Sequence, residues 1–133
     1  MPLGDPCGGN FVYTNEGLPE SIFMATVPCR DIENSLQFYN GLLGMEILYI
    51  KNKEAAVRRN GATLLLKVSD IVGIDTGIFI GVDDPYELRR RFIDEGVEFV
   101  REPFRAPLGV YTSFKDCDGN ILHAIEMKAS LKL

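Results

Sequence analysis

The chain has 133 residues, which is enough for one domain whose core needs no disulfide or metal staple. Its 14 Lys and Arg against 19 Asp and Glu give a net charge of −5, and no basic cluster interleaves with aromatics, so nucleic acid is excluded as an expected partner. No window approaches the roughly 18 uninterrupted apolar residues of a membrane span, so no membrane partner is expected either.

Residues 1–20 are rich in Gly and Pro and lack periodicity, and they read as an extended arm. Within it, Phe11, Val12 and Tyr13 are candidates to dock as an edge segment. The stretch has neither the basic nor the apolar region of a secretory leader. The three cysteines, Cys7, Cys29 and Cys117, are odd in number and widely spaced, with no Cys-x-x-Cys. They fit a reducing cytoplasm rather than a disulfide framework, and Cys117, at a turn, is expected to be the most reactive.

Ile22 to Val27 reads as a strand closed by Pro28. Asp31 caps a helix over 32–42, with Leu36, Tyr39 and Leu43 at buried spacing and Gly44 ending it. Strands follow over 45–50, 55–59 and 62–68, the last two joined by the hairpin dipeptide Asn60-Gly61. Residues 69–76 form a connector. The order then restarts with a strand from Gly77 to Val82. Asp83 or Asp84 caps a helix that Pro85 opens, that carries Leu88, Phe92 and Ile93 inward, and that Gly96 stops. The run Arg89-Arg90-Arg91 falls on its solvated face. A strand over 97–101, a proline-bearing loop over 102–108 and a closing hairpin over 109–127 complete the chain.

The two halves repeat each other. Asp31 to Gly44 spans 13 positions and Asp84 to Gly96 spans 12, and Met45-Glu46-Ile47-Leu48 aligns with Val97-Glu98-Phe99-Val100. A repeat of about 53 residues follows, each unit too small to bury its own sheet face. The predicted organisation is an arm (1–20), a first βαβββ module (21–70) and a second (77–128), together one α+β domain.

In the closing hairpin, Asp116, Asp118, Gly119 and Asn120 supply the turn. Alternation beyond it puts Ile121, His123 and Ile125 on one face and Leu122, Ala124 and Glu126 on the other. His123 is the sole histidine. It reads either as a wall residue with one hydrogen bond or as a general base.

The paired unit resembles the vicinal oxygen chelate superfamily: glyoxalase I, bleomycin-resistance proteins, fosfomycin-resistance transferases and extradiol dioxygenases. The residues that carry the likeness are Val27-Pro-Cys-Arg-Asp31, Ser35-Leu-Gln-Phe-Tyr39, Leu42-Leu-Gly-Met45, and Gly109-Val-Tyr with Phe114-Lys-Asp-Cys-Asp-Gly-Asn120. Cys117 stands where the family usually has proline. The resemblance implies a U-shaped mixed sheet with helices on its convex face, a ligand cavity on its concave face, and a homodimer.

It also implies where a divalent metal would be held: at Met24, at Gly77, at His123 where a glutamate is usual, and on the strand Leu64-Leu65-Leu66-Lys67. Only His123 of these can ligate a hard or borderline ion, so no cofactor is expected, a metal remaining possible only if this alignment is displaced onto Glu46, Glu98 or Glu126. The expected ligand-binding residues are Met24, Thr26, Phe79, Tyr111, Ser113 and His123, joined along the same face by Ile22, Gly81, Ile121 and Ile125. The reading is a metal-free protein binding a small molecule. The alternatives are a glyoxalase-like lyase or isomerase, or a dioxygenase, using a metal or His123 as base, and a structural homologue with a vestigial cavity.

Overall fold

The computed structural model describes residues 17–127. Phe11, Val12 and Tyr13 therefore lie outside the described residues, as does Cys7. Among the described residues no helix is long and apolar enough to cross a membrane.

The described residues form eight strands in two mixed four-stranded sheets. The first contains β1 (Met24–Cys29), β2 (Glu46–Lys51), β3 (Glu54–Arg59) and β4 (Ala62–Val68). Its order is β1-β4-β3-β2, with β1 parallel to β4 and the other pairs antiparallel. The second contains β5 (Asp75–Val82), β6 (Phe99–Ala106), β7 (Gly109–Lys115) and β8 (Ile121–Glu126), ordered β5-β8-β7-β6 with β5 parallel to β8. This is the α+β architecture of two βαβββ modules, and the sheets do not close on each other.

Both helices cover one face. Helix α1 (Ile32–Leu36) widens into a π-helical turn (Gln37–Leu42), and α2 spans Pro85–Asp94. Asp31 and Asp84 cap them: the Asp31 carboxylate accepts the Asn34 N–H, and the Asp84 carboxylate accepts those of Tyr86 and Glu87. Gly44 and Gly96 follow the helix ends at φ +73° and +88°, the left-handed conformation that the repeat assigned to both.

A single core joins the modules. Val27, Val57 and Leu66 of the first sheet and Phe114, Leu122 and Ala124 of the second pack with Leu36, Tyr39 and Phe92 from the helix layer. Phe114 sits at its centre, its ring contacting Phe38, Phe92 and Phe99.

Several boundaries differ from the sequence reading, each for a local reason. Strand β1 starts at Met24, leaving Ile22 and Phe23 exposed, and it runs past Pro28, which an edge strand tolerates. Ile93 is exposed rather than inward. Strand β6 continues through Pro103 to Ala106, because an extra residue between Arg101 and Phe104 lets the ladder pass the proline as a bulge. That bulge brings Phe104 opposite Tyr111. Strand β5 begins two residues before Gly77, at Asp75.

Candidate functional site

The turn Asp116–Asn120 fixes the register of β8. Asp116 Oδ1 accepts the N–H groups of Asp118 and Asn120 at 2.8 and 3.0 Å, and Gly119 takes φ +83°. Alternation then works as read. Leu122 and Ala124 enter the core beneath the helices, and His123 turns to the opposite face. Cys117, in the same turn, is exposed, but its sulfur rests against the Asn34 carbonyl. Partial burial and the carboxylates of Asp118 and Asp116 push its thiol up to about 12, so the reactivity expected of it is not favoured.

His123 is buried, and the protein occupies both of its ring nitrogens. Ser113 Oγ lies 2.7 Å from Nδ1, and Asp75 Oδ1 lies 2.9 Å from Nε2. Ser113 faces His123 directly across the antiparallel β7–β8 ladder. An ionised carboxylate can only accept, so Nε2 carries the proton that bonds Asp75, and the Ser113 hydroxyl donates to Nδ1 in the neutral ring. Asp75 accepts a second bond at Oδ1, from the backbone N–H of Gly77 at 3.0 Å. The bond from His123, followed by that from Gly77, holds the Asp75 carboxyl below the usual aspartate range.

An aromatic platform surrounds the imidazole. Phe79, the parallel-strand partner of His123, stacks on its ring at 4.6 Å and 20°. Tyr111 meets Phe79 edge-on at 5.0 Å, and Phe104 meets Tyr111 at 4.6 Å. The Arg101 guanidinium lies over both Phe104 and Tyr111, at 5.2 and 5.8 Å from their centroids. Phe79 is nevertheless 50% exposed and Phe104 39%, so the platform presents apolar surface to solvent.

Of the expected ligand-binding residues, the structure brings Phe79, Tyr111, Ser113 and His123 together. Met24 and Thr26 stand on β1 of the other sheet, both exposed, on the side of that strand opposite the buried Val27 and Cys29. No hydrogen bond joins them to the His123 cluster. Sequence reasoning did not find Asp75, Phe104 or Arg101. The available signal for Asp75 was the Asp-x-Gly spacing of Asp75 and Gly77, which favours a side chain bonding its own backbone two residues on.

Among the described residues no three His, Cys, Asp or Glu side chains converge as a metal-binding group. Gly77 contributes a backbone N–H, and Leu64 and Leu66 belong to the core. Glu126, the carboxylate that a displaced register would have needed, accepts the backbone N–H of Val110 at 3.1 Å.

Two grooves lie elsewhere. One, of about 590 Å³, is lined by Arg30–Glu33 and Ile50–Lys53, and one of about 840 Å³ by residues including Asn34, Phe38, Glu98 and Asp118. Neither borders His123.

The family model described as Glyoxalase/Bleomycin resistance protein/Dioxygenase superfamily matches residues 21–124. A search of curated proteins finds no match. Similar solved structures include a member of that superfamily from Sphaerobacter thermophilus DSM 20745, with 27% identity, a TM-score of 0.71, and 82% of this chain and 98% of that one covered. TnmS3, an antibiotic binding protein from Streptomyces sp. CB03234, has 23% identity and a TM-score of 0.69 over 83% and 98%. The bleomycin-binding protein of Streptomyces verticillus, solved with copper(II)-bleomycin, has 18% identity and a TM-score of 0.67 over 84% and 100%. At these last two identities the likeness is one of fold.

Proposed function

Because the chain belongs to the Glyoxalase/Bleomycin resistance protein/Dioxygenase superfamily, and because His123 has both nitrogens engaged beneath an exposed aromatic platform, we propose that it is a metal-free protein that binds a small, planar, largely apolar molecule on the His123 face. The half-exposed Phe79 ring carries the reading. A ring already stacked on a fixed imidazole offers a rigid apolar surface, and a flat ligand laid on it loses little entropy in the protein. The antibiotic-binding relatives of the same fold support a sequestering role. A metal-dependent lyase, isomerase or dioxygenase would need three or more side-chain donors, and among the described residues His123 has Asp75 beside it but no third His, Cys, Asp or Glu.

The test is binding of 2-methylnaphthalene, followed by its fluorescence anisotropy. Wild type should bind it, and Phe79→Ala should weaken binding about tenfold, as expected for loss of one aromatic stacking partner. Binding that survives this change intact would place the ligand elsewhere.

We also propose a homodimer. Ile47, Leu48, Tyr49 and Ile50 on the edge strand β2 are all exposed, as are Ile22 and Phe23, and such edges are ordinarily covered. Sedimentation at micromolar concentration should show chiefly dimer. A clean monomer would contradict this.

A further inference from the structure

The way Asp75 reaches His123 has a consequence for ligand choice. In the β5–β8 pair, Asp75 stands opposite Ile121 and Phe79 opposite His123, so four steps along β5 answer two along β8. The two extra residues loop out at Thr76–Ile78. Gly77 takes φ +69° there, the Thr76 hydroxyl donates to the Ile121 carbonyl at 2.7 Å, and the same hydroxyl accepts the Ile78 N–H at 3.1 Å. The bulge is pinned at both ends and turns Asp75 back onto the imidazole.

Asp75 is thereby set in place yet unspent. Its Oδ1 holds two donors, while Oδ2 has no hydrogen-bond partner among the described residues, and the side chain is 60% exposed beside Phe79. Its carboxyl, held below the usual range, is ionised at neutral pH. Arg101, which favours that charged form from a distance, lies over Phe104 and Tyr111 and forms no ion pair with Asp75.

We infer that Asp75 is a specificity-determining residue of this face: its free carboxylate oxygen takes a protonated amine carried on the edge of a planar apolar ligand. The inference rests on the binding face proposed above. An anion fixed by His123 and Gly77 loses no side-chain freedom when it accepts such a group, and a charge-assisted bond beside an apolar surface is stronger than a neutral one. His123 then acts as a positioning residue, aiming Asp75 and supporting Phe79 without touching the amine.

The experiment compares 2-(aminomethyl)naphthalene, 2-methylnaphthalene and 2-naphthoate on wild type, Asp75→Asn and Phe79→Ala at pH 7. Asparagine keeps an acceptor for His123 Nε2 and for the Gly77 N–H, so the ring stays supported. Wild type should prefer the cationic probe to the neutral one by about tenfold and bind the carboxylate least. Asp75→Asn should abolish that preference and leave 2-methylnaphthalene unchanged, whereas Phe79→Ala should weaken both the cationic and the neutral probe. Equal wild-type affinity for those two, with Phe79 still required, would overturn the role of Asp75 and keep the binding face. An equal loss of both in Asp75→Asn would reduce Asp75 to a support for the ring and overturn the inference too. No binding of any probe would overturn the face and the inference together.

Discussion

Asn120→Ala is expected to lower the free energy of unfolding by about 3–5 kcal/mol. Asn120 is fully buried and all four of its side-chain hydrogen-bonding positions are filled. Its Nδ2 donates to the Pro28 carbonyl at 2.8 Å and to Asp116 Oδ2 at 3.0 Å, and its Oδ1 accepts Gly73 N–H at 2.9 Å and Ile74 N–H at 3.1 Å. One side chain thus ties β1, the connector between modules and the closing turn. Alanine removes all four bonds at once and leaves the buried Asp116 Oδ2 with the Tyr39 hydroxyl as its remaining side-chain donor among the described residues. Asn120→Asp should be worse, because it sets a second carboxylate against Asp116, whose Oδ2 already accepts the Tyr39 hydroxyl at 2.6 Å. Urea midpoints measure both. A cost below about 1 kcal/mol for the alanine variant would mean that water replaces the amide, and that the network does not hold the modules together.

The effect should reach the ligand face. Gly73 and Ile74 immediately precede Asp75, and Ile74 O also accepts the Ile121 N–H at 2.8 Å. Loosening that segment should erode whatever depends on the position of Asp75 before it alters the platform of Phe79 and Tyr111.

His123→Ala carries the second large effect, about 2–4 kcal/mol, and it acts on both stability and binding. Ser113 is wholly buried, so its hydroxyl loses the side-chain partner it has among the described residues. The imidazole volume beneath Phe79 empties, and the stacked ring loses its support. Affinity for 2-methylnaphthalene should fall at least as far as in Phe79→Ala.

Asp75→Asn should be mild at neutral pH by comparison, because the carboxylate is exposed. The sign of its pH dependence follows from a folded-state value depressed below the unfolded one. The stabilisation due to Asp75 is complete above the unfolded aspartate value, about pH 4, and is lost as pH falls through the lower folded value. Wild type and Asp75→Asn should therefore converge in stability toward low pH.

The fold was legible because its signals repeat. Two capping aspartates, two glycines past helix ends and one turn of Asp, Gly and Asn each act locally, and local chemistry survives whatever packs around it. The face of His123 was legible for the same reason, since three residues beyond Asn120 leave little room for a slip. The site was less so. Asp75, Phe104 and Arg101 reach the imidazole and Tyr111 only through bulges in β5 and β6, and strict alternation carries no trace of an added residue. Counting back from Asp84 singled out Gly77, whereas the side chain bonded to His123 is that of Asp75, two residues earlier on the looped strand. Pro103 suggested a loop for a similar reason, because a proline in a strand is tolerated only where a bulge or an edge spares its missing N–H. The π-helical turn after α1 left no mark in the spacing of Leu36 and Tyr39.

The central claim is that the protein itself, not a metal, holds the His123 ring. With a single histidine in the chain, the long-range 1H–15N spectrum of untagged protein reports that ring alone. The expected result is a proton on Nε2, bonded to Asp75, with both ring-nitrogen resonances unmoved by one equivalent of Zn2+ or Ni2+. A ring nitrogen that shifts or broadens in proportion to added metal, saturating near one ion per chain, would contradict the claim and restore the lyase reading.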